Sequence, residues 1–172
     1  MSIAESFLSE FEVQAPITRR FLERLPEEKL MWKPHERSLT AGQLALHLAM
    51  VPGNVVRAVQ VNPAQFPGFQ FSQPESCGEI LKTFDESIAA VRTEMPTYDD
   101  AAMGETWWLF AGDQKIVAVP RMEFLRDVMF SHWYQHRGQF SVYLRLLDVA
   151  VPASFGPSAD EPPVFMKIAV AA

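Results

Sequence analysis

Two histidines of this sequence are spaced so that both could bind the same metal ion. His132 and His136 lie four residues apart in the segment 131–139. On a helix, residues four apart lie on the same face, one turn above the other. Imidazoles placed in this way are suitable ligands for zinc, nickel, copper or iron. The alternative is that the two histidines are simply packed in the core of a helical protein.

The residues around this pair exclude several well-known kinds of active site. The zincin pattern has the same histidine spacing but places a glutamate directly after the first histidine, where this chain has Trp133. Di-iron carboxylate proteins use Glu-x-x-His pairs, which the sequence does not contain. A Walker A loop, a G-x-G-x-x-G turn and a G-x-S-x-G elbow are also absent. We therefore expect neither a zincin-type protease nor a nucleotide-binding fold.

A third metal ligand is predicted on the second helix. Thr40 and Gln43 form a capping-box pattern that predicts a helix start. His47 lies on the edge of the apolar stripe of this helix, so its side chain is expected to point at or near the core. His35 follows Pro34 in a loop, and we expect it to be solvated. The predicted metal ligands are therefore His47, His132 and His136, and three neutral ligands leave the ion open to water, a thiolate or a carbonyl.

Hydrophobic periodicity predicts four helices. The first spans about residues 2–25, the second follows Thr40, the third runs from the Ser76–Glu79 capping pattern to about residue 95, and the fourth spans about residues 120–148. Proline is expected to bend the first helix at Pro16 and to break or kink the second at Pro52. The apolar stripe of the fourth helix places both of its histidines within the buried face. Gly138, inside that helix, is expected to mark the close approach of another element.

The remaining segments predict a small sheet and several loops. Residues 106–110 and 115–119 read as two strands around a turn, and this hairpin must lie on the helices. The loop 62–74 carries three phenylalanines that either line a pocket or cover one end of the helices. Residues 151–172 are expected to wrap along the surface as a tail. Cys77 is expected to be a small packed residue at a helix start, and the alternative is a reactive thiol. We predict one domain over residues 1–172.

Composition restricts the partners and the compartment. The chain has 172 residues, of which 48% are hydrophobic and 21% charged, with a net charge of −6 and a single cysteine. The acidic balance argues against nucleic-acid binding. We expect no membrane partner, because no signal peptide and no long uncharged apolar run appear. One cysteine allows no internal disulfide and fits a reducing compartment, so a cytoplasmic protein is expected.

Several of these segments together resemble the DinB family, also called the YfiT-like metalloenzymes. The resemblance lies in residues 40–48, TAGQLALHL, and 132–139, HWYQHRGQ, with further likeness at 32–34, 143–145 and 156–161. It implies an all-α fold, a four-helix bundle with a long crossover, to which the predicted hairpin is added. It also implies a divalent metal, often nickel or zinc, on His47, His132 and His136, and a homodimer. Characterised relatives include transferases and isomerases that use small thiols such as mycothiol, bacillithiol or glutathione.

The predicted function is a metal-dependent enzyme that transfers or activates a small thiol and acts on a small-molecule substrate. No general base is evident, and no catalytic residue is assigned. Tyr134, Gln135 and Arg137 are next to the ligands in sequence and so turn away from their face of the helix. Arg137 could equally pair with Asp160 or Glu161. One alternative is a non-catalytic metal-binding protein of a stress response, and another is plain packing of the histidines.

Overall fold

Helices carry most of residues 1–163, which are the residues that the computed structural model describes. The helices are α1 (Ile3–Leu22), α2 (Ala41–Ala58), α3 (Cys77–Glu94), a short α4 (Asp100–Gly104), α5 (Arg121–Phe124) and α6 (His132–Leu146). A π-helical segment, Leu125–Ser131, joins α5 to α6, so residues 121–146 are helical without a break. Short 3₁₀ turns lie at Glu27–Lys29 and Met95–Thr97.

Side-chain caps fix where the long helices begin. The Thr40 side chain accepts a hydrogen bond from the Gln43 amide, and the Gln43 side chain accepts one from the Thr40 amide, which is the predicted capping box. Ser2 and Glu5 form a second complete box at the start of α1. At α3 only half of the box is present, because the carboxylate of Glu79 accepts from the Glu75 amide and not from the N-cap residue.

Of the two outcomes expected at Pro52, a break or a kink, the structure excludes the break. α2 continues to Ala58, just as α1 continues through Pro16 to Leu22. A proline inside a helix has no N–H to donate, so the carbonyl four residues earlier loses its partner. In α2 that carbonyl belongs to Leu48, and the indole nitrogen of Trp133 donates to it at 2.8 Å. Because this bond from α6 gives the Leu48 carbonyl a partner, α2 can continue past Pro52.

Glycine allows α2 to pack closely on α3. A Cβ atom added to Gly53 would lie 2.7 Å from Ser87 Oγ and 2.8 Å from Ser87 Cα. Ser87 is buried on α3, so the two backbones approach each other at this point. The close approach expected at Gly138 is absent, since a Cβ there would meet no described atom within 4 Å. The close approach of another helix to a glycine therefore occurs on α2 and not on α6, where the sequence predicted it.

A three-stranded sheet lies beside the helices, so the expectation of an all-α fold with only a hairpin was incomplete. The strands are β1 (Ala64–Gln65), β2 (Thr106–Ala111) and β3 (Gln114–Pro120), in the order β1-β2-β3. β2 is antiparallel to β3, and β1 is parallel to β2. Trp107 on β2 is fully buried, and its indole nitrogen donates to the Val61 carbonyl at 2.8 Å. β1 is too short for its two residues to give a recognisable strand pattern.

The segment after α6 is bound back to the helices by two carboxylates. Asp160 pairs with Arg145 of α6, and Glu161 pairs with Arg20 of α1 and with Arg24, which follows that helix. Asp160 also accepts from the Val151 amide at 2.8 Å. This part of the predicted tail therefore lies against the helices, and residues 164–172 of it are outside the described residues. No helix in residues 1–163 is long and apolar enough to cross a membrane.

The two helical glycines make a matched test of helix packing. Gly53→Ala should lower the free energy of unfolding by about 1–3 kcal/mol, because the new methyl group overlaps Ser87. Gly138→Ala should raise it by about 0.4–1 kcal/mol, because the site is open and alanine favours the helix. Urea unfolding of both variants measures the two changes. Equal effects of the same sign would contradict the close approach of α2 and α3.

Candidate metal centre

Three histidine rings from two helices converge at one point. His47 extends from α2, and His132 and His136 extend from the first turns of α6. One ring nitrogen from each lies within 4.8 Å of the others. The ring centroids are 5.2 Å apart for His47 and His132, 4.7 Å for His47 and His136, and 4.3 Å for His132 and His136. Within residues 1–163 no other trio of histidine, cysteine or acidic side chains comes this close together.

The sequence predicted that the two histidines of α6 lie within the buried face, but in the structure they lie at its edge. Trp133 is fully buried and Arg137 is 2% exposed, whereas His132 and His136 are half-buried. The π-helical segment explains the difference: its last bond runs from the His132 amide to the Asp127 carbonyl, five residues earlier. A π turn holds one residue more than an α turn, so it shifts the phase of the residues that follow.

Gln139 sets the orientation and the tautomer of His136. His136 Nδ1 lies 3.0 Å from Gln139 Oε1, an oxygen that can only accept a hydrogen bond. In the tautomer that satisfies this contact, Nδ1 carries the proton and Nε2 keeps its lone pair. That Nε2 lies 2.8 Å from His132 Nε2, inside the cluster. An amide that holds the far nitrogen of a histidine is the support that metal-binding histidines commonly have.

Burial and mutual proximity favour the uncharged form of two of the rings, those of His47 and His132. The pKa of His47 is lowered to about 4, mainly because burial disfavours its charged form and also because His136 and His132 are close. The pKa of His132 is lowered for the same two reasons, burial first and His136 second. The carbonyl of Val128 acts in the opposite direction, although the buried Nδ1 of His132 makes no well-formed hydrogen bond with any described residue. Neutral imidazole is the form that binds metals.

The hydrogen bond from Trp133 to Leu48 brings the two helices of the cluster together. Trp133 follows His132 directly in the chain, and Leu48 follows His47. The bond therefore joins the neighbours of two candidate ligands across the interface of α2 and α6. The indole ring also stacks on Phe11 of α1, with centroids 5.6 Å apart.

Arg137 serves the packing of α6 on α1. Its guanidinium donates to Gln14 Oε1 at 2.8 Å and to Thr18 Oγ1 at 3.2 Å, and it lies over the rings of Tyr134 and Phe155. It does not pair with either carboxylate of the C-terminal segment, which bind other arginines. Burial lowers the pKa of Arg137 to about 10, so the side chain is still charged at neutral pH. As expected, it turns away from the face that carries the histidines.

Two other residues considered from sequence lie outside the cluster. Cys77 is in the first turn of α3, where its thiol donates to the Leu25 carbonyl at 3.3 Å. Burial and the neighbouring Glu27 raise its pKa to about 12, so the reactive-thiol interpretation is not supported. His35 is exposed, and its Nδ1 accepts from the Arg37 amide at 3.1 Å.

A cavity of about 280 Å³ opens beside the cluster. His47 and His132 form part of its wall, together with the loop of residues 65–71. The three loop phenylalanines line this cavity, which decides between the two roles that the sequence left open. A larger cleft of about 460 Å³ lies between α1 and α3, but it contains no histidine, and its arginines are paired with Asp85 and Glu12. The cavity beside the histidines is therefore the candidate binding site.

A sequence model of the DinB family matches residues 1–162 of the chain. The chain belongs to the DinB family. It is similar to the uncharacterized protein YrdA of Bacillus subtilis, with 26% identity over 158 residues that make up 91% of this chain and 90% of YrdA.

Two solved structures of DinB-like proteins share the fold. One is from Bacillus cereus, with a TM-score of 0.71 and 20% identity, and the match covers 87% of this chain and 96% of that one. The other is YjoA of Bacillus subtilis, with a TM-score of 0.64 and 17% identity, and the match covers 86% of this chain and 95% of that one. At these identities the likeness concerns the DinB fold alone.

Two supporting residues of this DinB chain were missed by sequence reasoning. Gln139 lies three residues after His136, and this helical spacing was a usable signal for a contact between them. Trp133 gave no comparable signal, since its partner is a backbone carbonyl 85 residues earlier in the chain. The cluster is thus built from local spacing on α6 and from one long-range bond to α2.

The bond between the helices can be tested by a double-mutant cycle. Trp133→Phe should lower the free energy of unfolding by at least about 1–3 kcal/mol, because it leaves the Leu48 carbonyl buried without a donor. The cost should fall by about 0.5–3 kcal/mol in a Pro52→Ala background, where the restored backbone N–H can donate to Leu48. Urea unfolding of the four proteins measures the coupling.

Trp107→Phe is the matched control for this cycle. Its indole also donates to a carbonyl, that of Val61, but not to one that Pro52 leaves free. Its cost should therefore be the same with and without Pro52→Ala. Additive effects of Trp133→Phe and Pro52→Ala would show that the missing proline N–H does not explain the bond.

Proposed function

We propose that His47, His132 and His136 bind one divalent transition-metal ion, and that the chain is a metal-dependent enzyme acting on a small thiol. The observation that carries the proposal is the convergence of three imidazole nitrogens within 4.8 Å beside an open cavity. Imidazole nitrogen suits nickel and zinc, the two metals that we favour. Membership of the DinB family supports the same ligand set.

The donor set fits such an ion. All three ligands are ring nitrogens, and the lowered pKa values of His47 and His132 mean that binding does not require these two rings to lose a proton. Three protein ligands leave coordination positions for water or a substrate. When bound, a divalent ion lowers the pKa of a coordinated thiol, so that the thiolate forms at neutral pH.

The residues of the chain would contribute positioning. His47, on α2, is fixed relative to the other two histidines by the bond between Trp133 and Leu48. Gln139 holds His136 with its free nitrogen toward the cluster. The cavity would hold a small-molecule substrate against His47 and His132 and exclude part of its water.

Further features are proposed from family membership. We propose that the long helices form the four-helix bundle with a long crossover, that residues 1–172 are one domain, and that two copies form a homodimer in the cytoplasm. A second function is a non-catalytic metal-binding protein of a stress response. One observation favours it: apart from the histidines, no ionisable side chain among the described residues lines the cavity, so no acid or base other than the metal site is available.

Elemental analysis of purified, tag-free protein tests the metal site. The unchanged protein should contain about one equivalent of nickel, zinc or another transition metal, and His132→Ala should lose it. His35→Ala is the matched control and should keep the metal, because His35 is exposed and outside the cluster. The same proteins and His136→Ala are then tested for turnover of electrophiles with mycothiol, bacillithiol and glutathione.

The results separate the two functions. Thiol-dependent turnover that disappears in His136→Ala supports the enzyme. Bound metal without turnover for any thiol supports the non-catalytic protein. Absence of metal from every preparation, even after ions are added back, would overturn both and reduce the histidines to packed residues.

The role of Gln139 gives a second prediction. Gln139→Leu should weaken metal binding by about 10–100-fold, because His136 loses the partner that fixes its tautomer. Gln135→Leu is the control, since Gln135 is also exposed on α6 and no hydrogen bond of its side chain is seen in residues 1–163. Competition with a chromophoric chelator measures the affinity. Equal affinities of the two variants would refute the supporting role of Gln139.

A further inference from the structure

The cavity beside the histidines has a wall without charged side chains. Its apolar part comes from several elements, including Val55 of α2, Leu109 of β2 and Phe124 of α5. Within the described residues, no aspartate, glutamate, lysine or arginine lines it. A charged ligand group placed against this wall would lose its water, and no side chain of the wall would pair with its charge. The lining therefore selects against charged molecules.

Polar groups in the wall are few and neutral. Apart from the histidines, they are the amide side chains of Asn54, Gln65 and Gln70. Amides of this kind can orient an uncharged ligand through hydrogen bonds but cannot neutralise a charge. Mostly apolar walls with a few polar groups are the common composition of small-molecule sites.

Aromatic rings continue from the cluster to the mouth of the cavity. The ring centroid of Phe71 lies 5.4 Å from that of His47, Phe69 lies 6.5 Å from Phe71 in a parallel orientation, and Phe66 lies 5.0 Å from Phe69. Phe69 is 82% exposed. A flat apolar molecule in the cavity would contact this row of rings and cover surface that is otherwise in water.

We propose that this cavity binds a small, uncharged and largely apolar molecule, with one polar group directed at His47 and His132. The volume of about 280 Å³ is enough for one or two rings, since an apolar cavity of about 150 Å³ can hold benzene. This inference deepens the proposed function and rests on it for the polar group, which would face the metal. The cavity is assigned to the acceptor substrate, because thiols such as glutathione carry charges that its wall cannot pair.

Titration with 6-propionyl-2-dimethylaminonaphthalene, an uncharged dye of two fused rings that fluoresces in apolar surroundings, tests the cavity. The dye is added to the protein after treatment with a chelator, so that binding does not depend on the metal. The unchanged protein should give a saturable rise in fluorescence. Ala58→Phe fills the cavity and should weaken binding at least about tenfold.

Ala89→Phe is the matched control. Ala89 lies on α3 and lines the larger cleft between α1 and α3, so the same substitution there should leave binding of the dye unchanged. Val128→Phe fills the cavity from the π-helical segment and serves as a second variant if Ala58→Phe does not fold. Circular dichroism and the thermal midpoint report folding of each variant.

Competition between two ligands of similar shape tests the selection against charge. Uncharged 1-naphthol should displace the dye at concentrations at least about tenfold lower than anionic 1-naphthoate. Equal displacement by the two would overturn the assignment to uncharged molecules. Absence of saturable binding in the unchanged protein, or binding that neither cavity variant weakens, would overturn the cavity as the site.

Metal content, measured on each preparation before the chelator is added, keeps the two proposals distinguishable. Metal present without binding of the dye would overturn this inference and leave the metal site standing. Binding of the dye with no metal in any preparation would support the apolar cavity and overturn the proposed function.

Discussion

The bond from the Trp133 indole to the Leu48 carbonyl is the interaction on which the arrangement of the site depends. Pro52 removes the donor that would satisfy that carbonyl within α2, and a buried carbonyl without a partner is costly. The indole supplies the missing donor only when α2 and α6 are in one relative position. Since His47 and His132 are the chain neighbours of Leu48 and Trp133, the same bond sets the distance between the histidines. The carbonyl that Pro52 leaves without a donor in α2 thus fixes the position of α6 relative to α2.

The π-helical segment decides which side chains of α6 face the core, and this explains why the histidines are held in place and are still accessible. The π-helical segment directs Trp133 and Arg137 into the core and leaves the two histidines of α6 at its edge. There His132 is buried enough to favour its neutral state, yet it still borders the cavity. A strictly α-helical segment would have a different phase at this point. The site therefore lies where the packed interior meets an apolar opening.

Signals within a few residues were readable from the sequence, whereas contacts between distant residues were not. The capping box of Thr40 and the closeness of the rings of His132 and His136 depend on neighbours along the chain, and both are found as predicted. Continuity of α2 through Pro52 depends on an indole from another helix, which no local pattern reveals. β1 pairs with β2 through the backbone of only two residues. A glycine is needed at position 53 because Ser87 of α3 lies against it. Apolar periodicity also assumes α-helical turns, so it misplaced the histidines after the π-helical segment.

The contacts that α1 makes with residues late in the chain have a consequence for the order in which the protein folds. Glu161 pairs with Arg20, Tyr134 donates to Glu10, and Arg137 donates to Gln14. These pairs join residues that are 123 to 141 positions apart. Contacts across such separations require closure of long loops and slow the folding of a domain. On the ribosome α1 is synthesised before these partners, and it gains them only after residues 134–161 have emerged.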